Sequence, residues 1–466
     1  MTDFFDARRL RQLLFFLVVV LTFEGIARKC APMSIRVPLF FLKDGIILVM
    51  ALFVIRMPMA QMLMPLWNAY MLLAFLIFPP ILATAWHDPL LAVFGAKQYI
   101  LYPIVGFATF MAFENSSKES ILSFFRWISL LIIPTTALAL VQARLPADHW
   151  LNMSVSGETI RGFGAGGELR VSSTFSFVAQ YCAFLNAEIF IVMFALHGWR
   201  KQNLIWKVIV LGLIPALVLG SYITGSRGAV VGNLSIVILG AMLVLPNFRF
   251  RSVMQILIII GFLYGMVQLV NYYSPRSTAA FSARENGQLI GFSSEIRERV
   301  FGAYFSLEAD KSLKTFFGNG LGVMSNGSNT FSSYADSWRS HYWTETDFAT
   351  TLFEGGYYLV LIWYGFRIFV ILMTLGHFLS DITPEFIVTA AFCEAFVIIV
   401  GTLGTLALQP PIAIWWWLGV GTIMLFSWKC IEPPEVIQKR EEVVPPPPRR
   451  KIRGRSLYAD VIHPRK

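Results

Sequence analysis

Across 466 residues the chain is 56% hydrophobic and only 14% charged, and its 38 Lys and Arg outweigh 28 Asp and Glu to give a net charge of +10. Soluble domains carry about 25% charged residues, so a soluble globular protein is excluded. Apolar runs of about 20 residues recur along the whole length and indicate an all-α polytopic membrane protein, whereas runs such as IVILGAMLVL lack the alternation of a membrane β-barrel strand.

In chain order, MTDFFDARRLRQ gives a basic flank with no small-residue cleavage site after the apolar run, which predicts an uncleaved first helix. Spans of bilayer length are predicted at 12–28, 38–55, 62–85, 89–113, 120–142, 172–197, 204–223, 228–246, 252–272, 347–375, 384–406 and 412–428. If the N-terminus is cytoplasmic, the inside connections hold Arg56, then Lys118, then Arg200 and Lys201, then Arg249 and Arg251. The segment around Asp381 is the exception to this basic pattern. Outside lie RKCAPMSIR, WHDP, 144–171, TGSRG and 273–346; only RKCAPMSIR breaks the positive-inside rule strongly. About twelve transmembrane helices with both termini cytoplasmic fit this pattern. From Lys429 onward ten Lys and Arg face five Asp and Glu, so half of the net charge lies in the tail. Such a tail marks the cytoplasmic side and touches anionic membrane lipids. No aromatic residues interleave PPPPRRKIRGR, so no nucleic acid is expected as a partner.

The chain therefore reads as a transmembrane domain, 1–428, carrying outer loops 144–171 and 273–346, and a basic, Pro-rich tail, 429–466. Loop 144–171 is rich in Gly and Ser and carries Arg161 and Arg170. Loop 273–346 balances seven Lys and Arg against seven Asp and Glu. Within it SSEIRERVFGAYFSLEADKSLKTF predicts a helix that ends on the glycines of FFGNGLG. Loops longer than about 15 residues are usually functional or disordered, and this one reads as structured. The run Pro445–Pro448 is a stiff spacer. The four cysteines have no metal or disulfide spacing, no HExxH-type pair, phosphate loop or nucleophile elbow is present, and no internal repeat is visible. No metal and no cofactor is expected.

The residues that carry chemistry are arginines. Arg227 stands in YITGSRGAVVG between two apolar segments, with no carboxylate close in sequence. A guanidinium at membrane depth costs roughly 3 to more than 10 kcal/mol, so Arg227 belongs at a boundary or against an anion. Arg161, Arg170, Arg276, Arg284, Arg297 and Arg299 fall on the same outer side. Together they suit a phosphate or pyrophosphate at the outer leaflet, because Arg forms bidentate bonds to phosphate that Lys does not reproduce. The alternative is that they snorkel to lipid headgroups. Glu24 and the Lys43–Asp44 pair read as mutual partners. Glu394, mid-span, is either an interhelical anchor or part of a proton path.

The order of SRG between two spans, a large outer loop with Arg on a helix, FFGNGLG, and ETDFATTLFEGGYYLV leading into the next span resembles the O-antigen ligase and O-antigen polymerase superfamily. The opening FEGIARK…P…FFLKDG, residues 23–45, is similar to polymerase-like members of exopolysaccharide operons. The resemblance implies a GT-C-type glycosyltransferase of the bacterial inner membrane with its active site on the periplasmic face. Its reaction is metal-independent transfer of glycan from undecaprenyl pyrophosphate to an acceptor hydroxyl. Carried over, the pyrophosphate falls to Arg227 and to Arg297 or Arg299. A histidine usually opens the motif that closes the loop; here Glu345 holds that position and His341 lies four residues earlier.

An acceptor hydroxyl must lose its proton to a carboxylate or imidazole, which makes Glu345 or His341 the candidate base. The alternative for Glu345 is pairing with Arg299 or Arg339. Asp347, Glu354, Tyr342, Trp343 and Trp338 are candidate acceptor or sugar contacts, although interfacial aromatics are common in any case. Besides the lipid-linked glycan, a chain-length regulator or other assembly protein is an expected partner. Two rivals stay open: a ligase that moves finished glycan to lipid A or another acceptor, and a secondary transporter or flippase for an anionic lipid-linked substrate. Against the second, no inverted repeat is visible.

Overall fold

The computed structural model of the chain describes residues 2–155, 170–199, 202–244, 314–342, 344 and 346–431. Helices account for its regular structure, and no strand occurs among the described residues. Among the described residues eight helices are long and apolar enough to cross a membrane, or nine if one bent pair counts as a single span. The protein is a multi-pass membrane protein.

Helix α1 (Thr2–Cys30) buries a stripe at Leu10, Leu14, Leu17 and Leu21, the spacing of one helical face. Helix α2 (Met33–Arg56) buries Ile47, Met50 and Val54 but exposes Leu48, Leu52 and Ile55 by 58%, 56% and 68%. Such a helix has no polar face because hydrocarbon, rather than water, is its outer solvent. Helix α3 (Met64–Ala85) shares this character, exposing Phe75 and Leu82.

The span expected at 89–113 is broken. Asp88 caps α4 (Pro89–Ile100) by accepting from the Leu91 amide at 3.0 Å, and α5 (Pro103–Phe113) leaves it at 45°. Pro103 has no N–H to continue the ladder, and its ring crowds the carbonyl four residues back. The span expected at 120–142 is α6 (Lys118–Ser129) followed by α7 (Ile132–Arg144), with Pro134 in the first turn of α7. The span expected from 172 starts as α8 only at Val178 and runs to Leu196, for reasons given below.

Helix α9 (Leu204–Ile223) agrees with its predicted bounds, and a turn with Gly225 at φ 62° leads into α10 (Arg227–Val244). After the short helices α11 (Lys314–Phe317) and α12 (Ser333–Arg339) comes α13 (Asp347–Asp381), then α14 (Ile387–Leu403) and α15 (Pro410–Ile431). The expected segments 228–246 and 384–406 are thus apolar helices, Gly228–Val244 and Ile387–Leu403, that fall just short of the length of the eight spans. The segment 252–272, the loop helix of SSEIRERVFGAY and the tail beyond Ile431 lie outside the described residues; residues 429–431, expected in the tail, continue the last helix.

The core gathers around α15, 94% buried over its apolar window, with Trp415, Trp416 and Trp417 all at or below 1% exposure. Helices α5 and α8 pack against it, and Phe184 meets Trp415 with ring centroids 5.6 Å apart.

A cavity with a basic end as the candidate functional site

Two motifs far apart in sequence form one structure. Helix α13 breaks in its EGG triplet, where Gly356 takes φ 61°, a conformation that costs a side chain dearly. The break frees the carbonyls of Phe353 and Glu354. They accept from the Asn319 and Gly320 amides, both at 2.9 Å, so the GNGLG loop supplies the bonds the helix has lost. The approach is so close that a Cβ on Gly318 would lie 2.5 Å from the Glu354 carbonyl carbon. The Glu354 side chain, 2% exposed, accepts from the Met324 amide at 3.0 Å and from the Tyr99 hydroxyl at 3.2 Å. It thereby fixes the loop whose Met324 and Asn326 line the cavity described next.

A second insertion explains the late start of α8. Residues 172–177 form a strap against α1 and α7, turned at Ser173, which takes φ 55°, with the Phe175 amide donating to the Ser172 carbonyl at 3.0 Å. The Ser173 amide donates to Gln142 Oε1 at 2.8 Å, and the Ser173 hydroxyl donates to the Thr135 carbonyl at 2.6 Å. These side-chain bonds compete with helix formation. Thr174 enters the ladder of α1 itself: its hydroxyl donates to the Thr22 carbonyl at 2.5 Å, and its carbonyl accepts from the Ile26 amide at 2.8 Å. Gly25 permits this, since a Cβ there would lie 2.1 Å from the Phe175 carbonyl carbon. FEG in α1 is therefore a docking notch for the strap, which begins two residues beyond Arg170.

Strap, notch and loop border a cavity of about 1830 Å³. It follows α2 from Val37 to Ile55, roughly 27 Å at 1.5 Å per residue. Beyond Asp44 every lining residue of α2 is apolar: Leu48, Ala51 and Ile55. Met71 of α3 and Leu90 and Val93 of α4 share that wall. The remaining charged lining residues are cations: Arg28, Lys97, Arg170 and Arg339. The cavity thus joins a long apolar groove to a basic end.

The charges at that end are partly matched. Lys97 Nζ lies 2.6 Å from Asp44 Oδ2, and the Tyr102 hydroxyl donates to Asp44 Oδ1 at 3.1 Å. Lys43 Nζ and Arg28 Nη1 share Glu24, at 2.8 and 3.2 Å. Arg339 donates to the Ser325 carbonyl; burial lowers its pKa, and nearby Glu354 and Asp336 pull it back up. Arg170 Nε is buried and has no hydrogen-bond partner among the described residues.

The candidate residues part company here. Arg170 and Tyr342 line the cavity, as does Ser226 of the SRG turn. Arg227 opens α10 beside it. His341 is exposed and bonds locally, its Nδ1 2.8 Å from Ser340 Oγ and 3.0 Å from the Ser337 carbonyl oxygen. Trp338 packs on Phe353 beneath the loop. Asp347, 3% exposed, is enclosed by protein: Oδ2 meets Arg367 Nη1 at 2.7 Å and accepts from Trp363 Nε1 at 3.1 Å. Its Oδ1 accepts from the amides of Ala407 and Leu408 at 2.8 and 3.2 Å. Asp347 and Glu354 thus both hold backbone that shapes the cavity. Arg161, Arg297, Arg299, Trp343 and Glu345 lie outside the described residues. Among the described residues no cluster of three His, Cys, Asp or Glu could hold a metal.

Sequence reasoning did not single out Arg28, Lys97 or Arg367. For Arg28 the signal was present, because RKCAPMSIR breaks the positive-inside rule. Its cations are held by the protein: Lys29 Nζ donates to the Leu151 carbonyl at 2.7 Å and Arg36 Nη1 to the Val155 carbonyl at 2.6 Å. Glu188 in α8 was also passed over; it is fully buried, and neither carboxylate oxygen has a partner among the described residues. Glu394 accepts from the Thr374 hydroxyl of α13 at 3.1 Å, which suits the interhelical anchor. No family model matches the chain, and no curated protein matches it.

Proposed function

We propose that the protein is a membrane glycosyltransferase that polymerises oligosaccharide units carried on undecaprenyl pyrophosphate, working at the periplasmic face of a bacterial inner membrane. The observation that carries this reading is the cavity: it follows α2 for roughly 27 Å, close to the roughly 30 Å hydrocarbon core, is apolar along α2 beyond Asp44, and elsewhere carries excess cations and a buried Arg170 Nε without an acceptor among the described residues. An amphipathic substrate with an isoprenoid tail and an anionic head matches both halves. The order of motifs along the chain supports the same reading, as does the position of Ser226, next to Arg227, on the cavity wall. The reading keeps twelve crossings with both termini in the cytoplasm.

In this reaction the acceptor hydroxyl oxygen attacks the anomeric carbon of the donor sugar. The bond from that carbon to the phosphate oxygen breaks, lipid pyrophosphate leaves with the electron pair, and the hydroxyl proton passes to a base. Arg227 and Arg170, with Arg297 or Arg299 and Arg161, neutralise the charge growing on the pyrophosphate, the role fixed donors perform best in a dry site. Glu345 or His341 is the base.

The test is to incubate purified protein with a lipid-pyrophosphate oligosaccharide, with Arg227→Lys in parallel. Lengthened lipid-linked glycan is the expected product, and the lysine variant, keeping charge but losing the fork, loses most of the rate. Glycan moved to lipid A would indicate the ligase, and unchanged glycan carried across the bilayer would indicate a transporter.

A further inference from the structure

The cluster at the head of the cavity contains a second guanidinium in the same condition as Arg170. Arg28 Nε is buried and has no hydrogen-bond partner among the described residues, although the side chain lines the cavity. Its Nη1 is engaged, donating to Glu24 Oε1 at 3.2 Å and to Ser176 Oγ at 3.4 Å, and its guanidinium lies 4.9 Å from the centre of the Phe40 ring. The plane is therefore held on one edge and stacked on one face, while the other edge keeps an unused donor. A buried donor without an acceptor is costly, so a cavity-lining arginine left in that state points to a ligand that supplies the missing acceptor. Charge agrees. Arg28, Lys43 and Lys97 outnumber Glu24 and Asp44 by three to two, and the strap places Arg170 six residues before Ser176, the residue that contacts Arg28.

We infer that Arg28 binds the anionic head of the substrate through the edge of its guanidinium that makes no protein hydrogen bond, and that Glu24 and Ser176 are positioning residues that orient it. The inference rests on the lipid-pyrophosphate reading of the cavity. It gives FEGIARK a role: Gly25 admits the strap, Glu24 aims the arginine, and Arg28, one helical turn beyond Glu24, reaches the ligand.

The test measures binding of farnesyl pyrophosphate, with farnesol and inorganic pyrophosphate as controls, to full-length protein in nanodiscs. The readout is the ratio of farnesyl pyrophosphate to farnesol affinity, which a generally damaged protein would not lose selectively. Wild type should prefer the pyrophosphate strongly. Arg28→Lys keeps the charge and loses the Nε donor, and should reduce the ratio about 10- to 100-fold, the range for a charge-assisted hydrogen bond. Arg28→Gln should reduce it at least as much. Glu24→Gln keeps a carbonyl oxygen to accept from Arg28 Nη1 and should change the ratio far less than Arg28→Lys does. A wild-type ratio retained in both Arg28 variants overturns the inference, and so does a loss in Glu24→Gln as large as that in Arg28→Lys. If wild type itself binds farnesol as well as farnesyl pyrophosphate, the reading of the cavity falls instead. Binding of inorganic pyrophosphate with no gain from the farnesyl chain would leave Arg28 as an anion ligand and remove the lipid.

Discussion

One arginine enclosed by protein and two that line a cavity behave in opposite ways. Arg367 in α13 is saturated: Nη1 meets Asp347, Nε donates to the Gly401 carbonyl at 2.7 Å, and Nη2 donates to the Gly404 carbonyl at 3.1 Å. Asp347 is equally full, and together they tie the start of α13 to the 401–408 connection. Arg28 and Arg170 are also bounded by protein, yet among the described residues each keeps a buried Nε without an acceptor. A charge taken out of water needs partners for every donor it brings. Where the protein supplies all of them the group is a fastening; where it withholds one beside a cavity, the donor is left open to a ligand.

The sharpest way to break this comparison is to remove one half of the fastening. Asp347→Ala leaves Arg367 charged and uncompensated at 1% exposure, and should lower stability by about 3–5 kcal/mol, the usual cost of halving a buried pair. Arg170→Lys should leave stability within about 0.5 kcal/mol while weakening farnesyl pyrophosphate binding. Thermal melts in detergent micelles compare the two, and an Asp347→Ala melt equal to wild type would void the distinction. Next in size is Gly25→Ala, which drives a methyl group into the strap backbone and should cost about 1–3 kcal/mol. Because the strap carries Ser176 and follows Arg170, the same variant should also lose pyrophosphate binding. Normal binding in Gly25→Ala would separate the notch from the cavity.

The smallest effect concerns a cluster between these extremes. His197, just beyond α8, stacks on Phe386 with centroids 4.5 Å apart, and its Nε2 lies 3.9 Å from Glu385 Oε1. Burial lowers its pKa below the ordinary 6.5; Glu385 opposes the shift, and Arg126 and Lys118 add to it. The unfolded chain therefore takes up the proton first as pH falls. The stabilising contribution is intact above pH 6.5 and is lost as pH drops through the lower folded-state value. Melting temperature should decline modestly from pH 7.5 to pH 5, and His197→Gln should flatten that decline. An unchanged slope in the variant would assign it to other groups.

The sequence alone determined that the chain is helical and crosses a membrane many times, because span length and apolar content are local quantities set by bilayer thickness. It also held Pro103 and the EGG triplet, which mark the breaks in 89–113 and in α13 through rules that act within a single turn. What tertiary structure decided is the use of each charge. Asp347 and Glu354 sit in a motif that reads as sugar-facing, yet their partners come from residues 407–408 and from Tyr99, 60 and 255 positions away. Arg28 and Lys29 are neighbours in sequence, but one faces a cavity and the other donates to the Leu151 carbonyl. Hydrogen bonding saturates within about 3 Å, so whether a buried donor is satisfied depends on which distant atoms the fold brings to it, and no local pattern of residues carries that information.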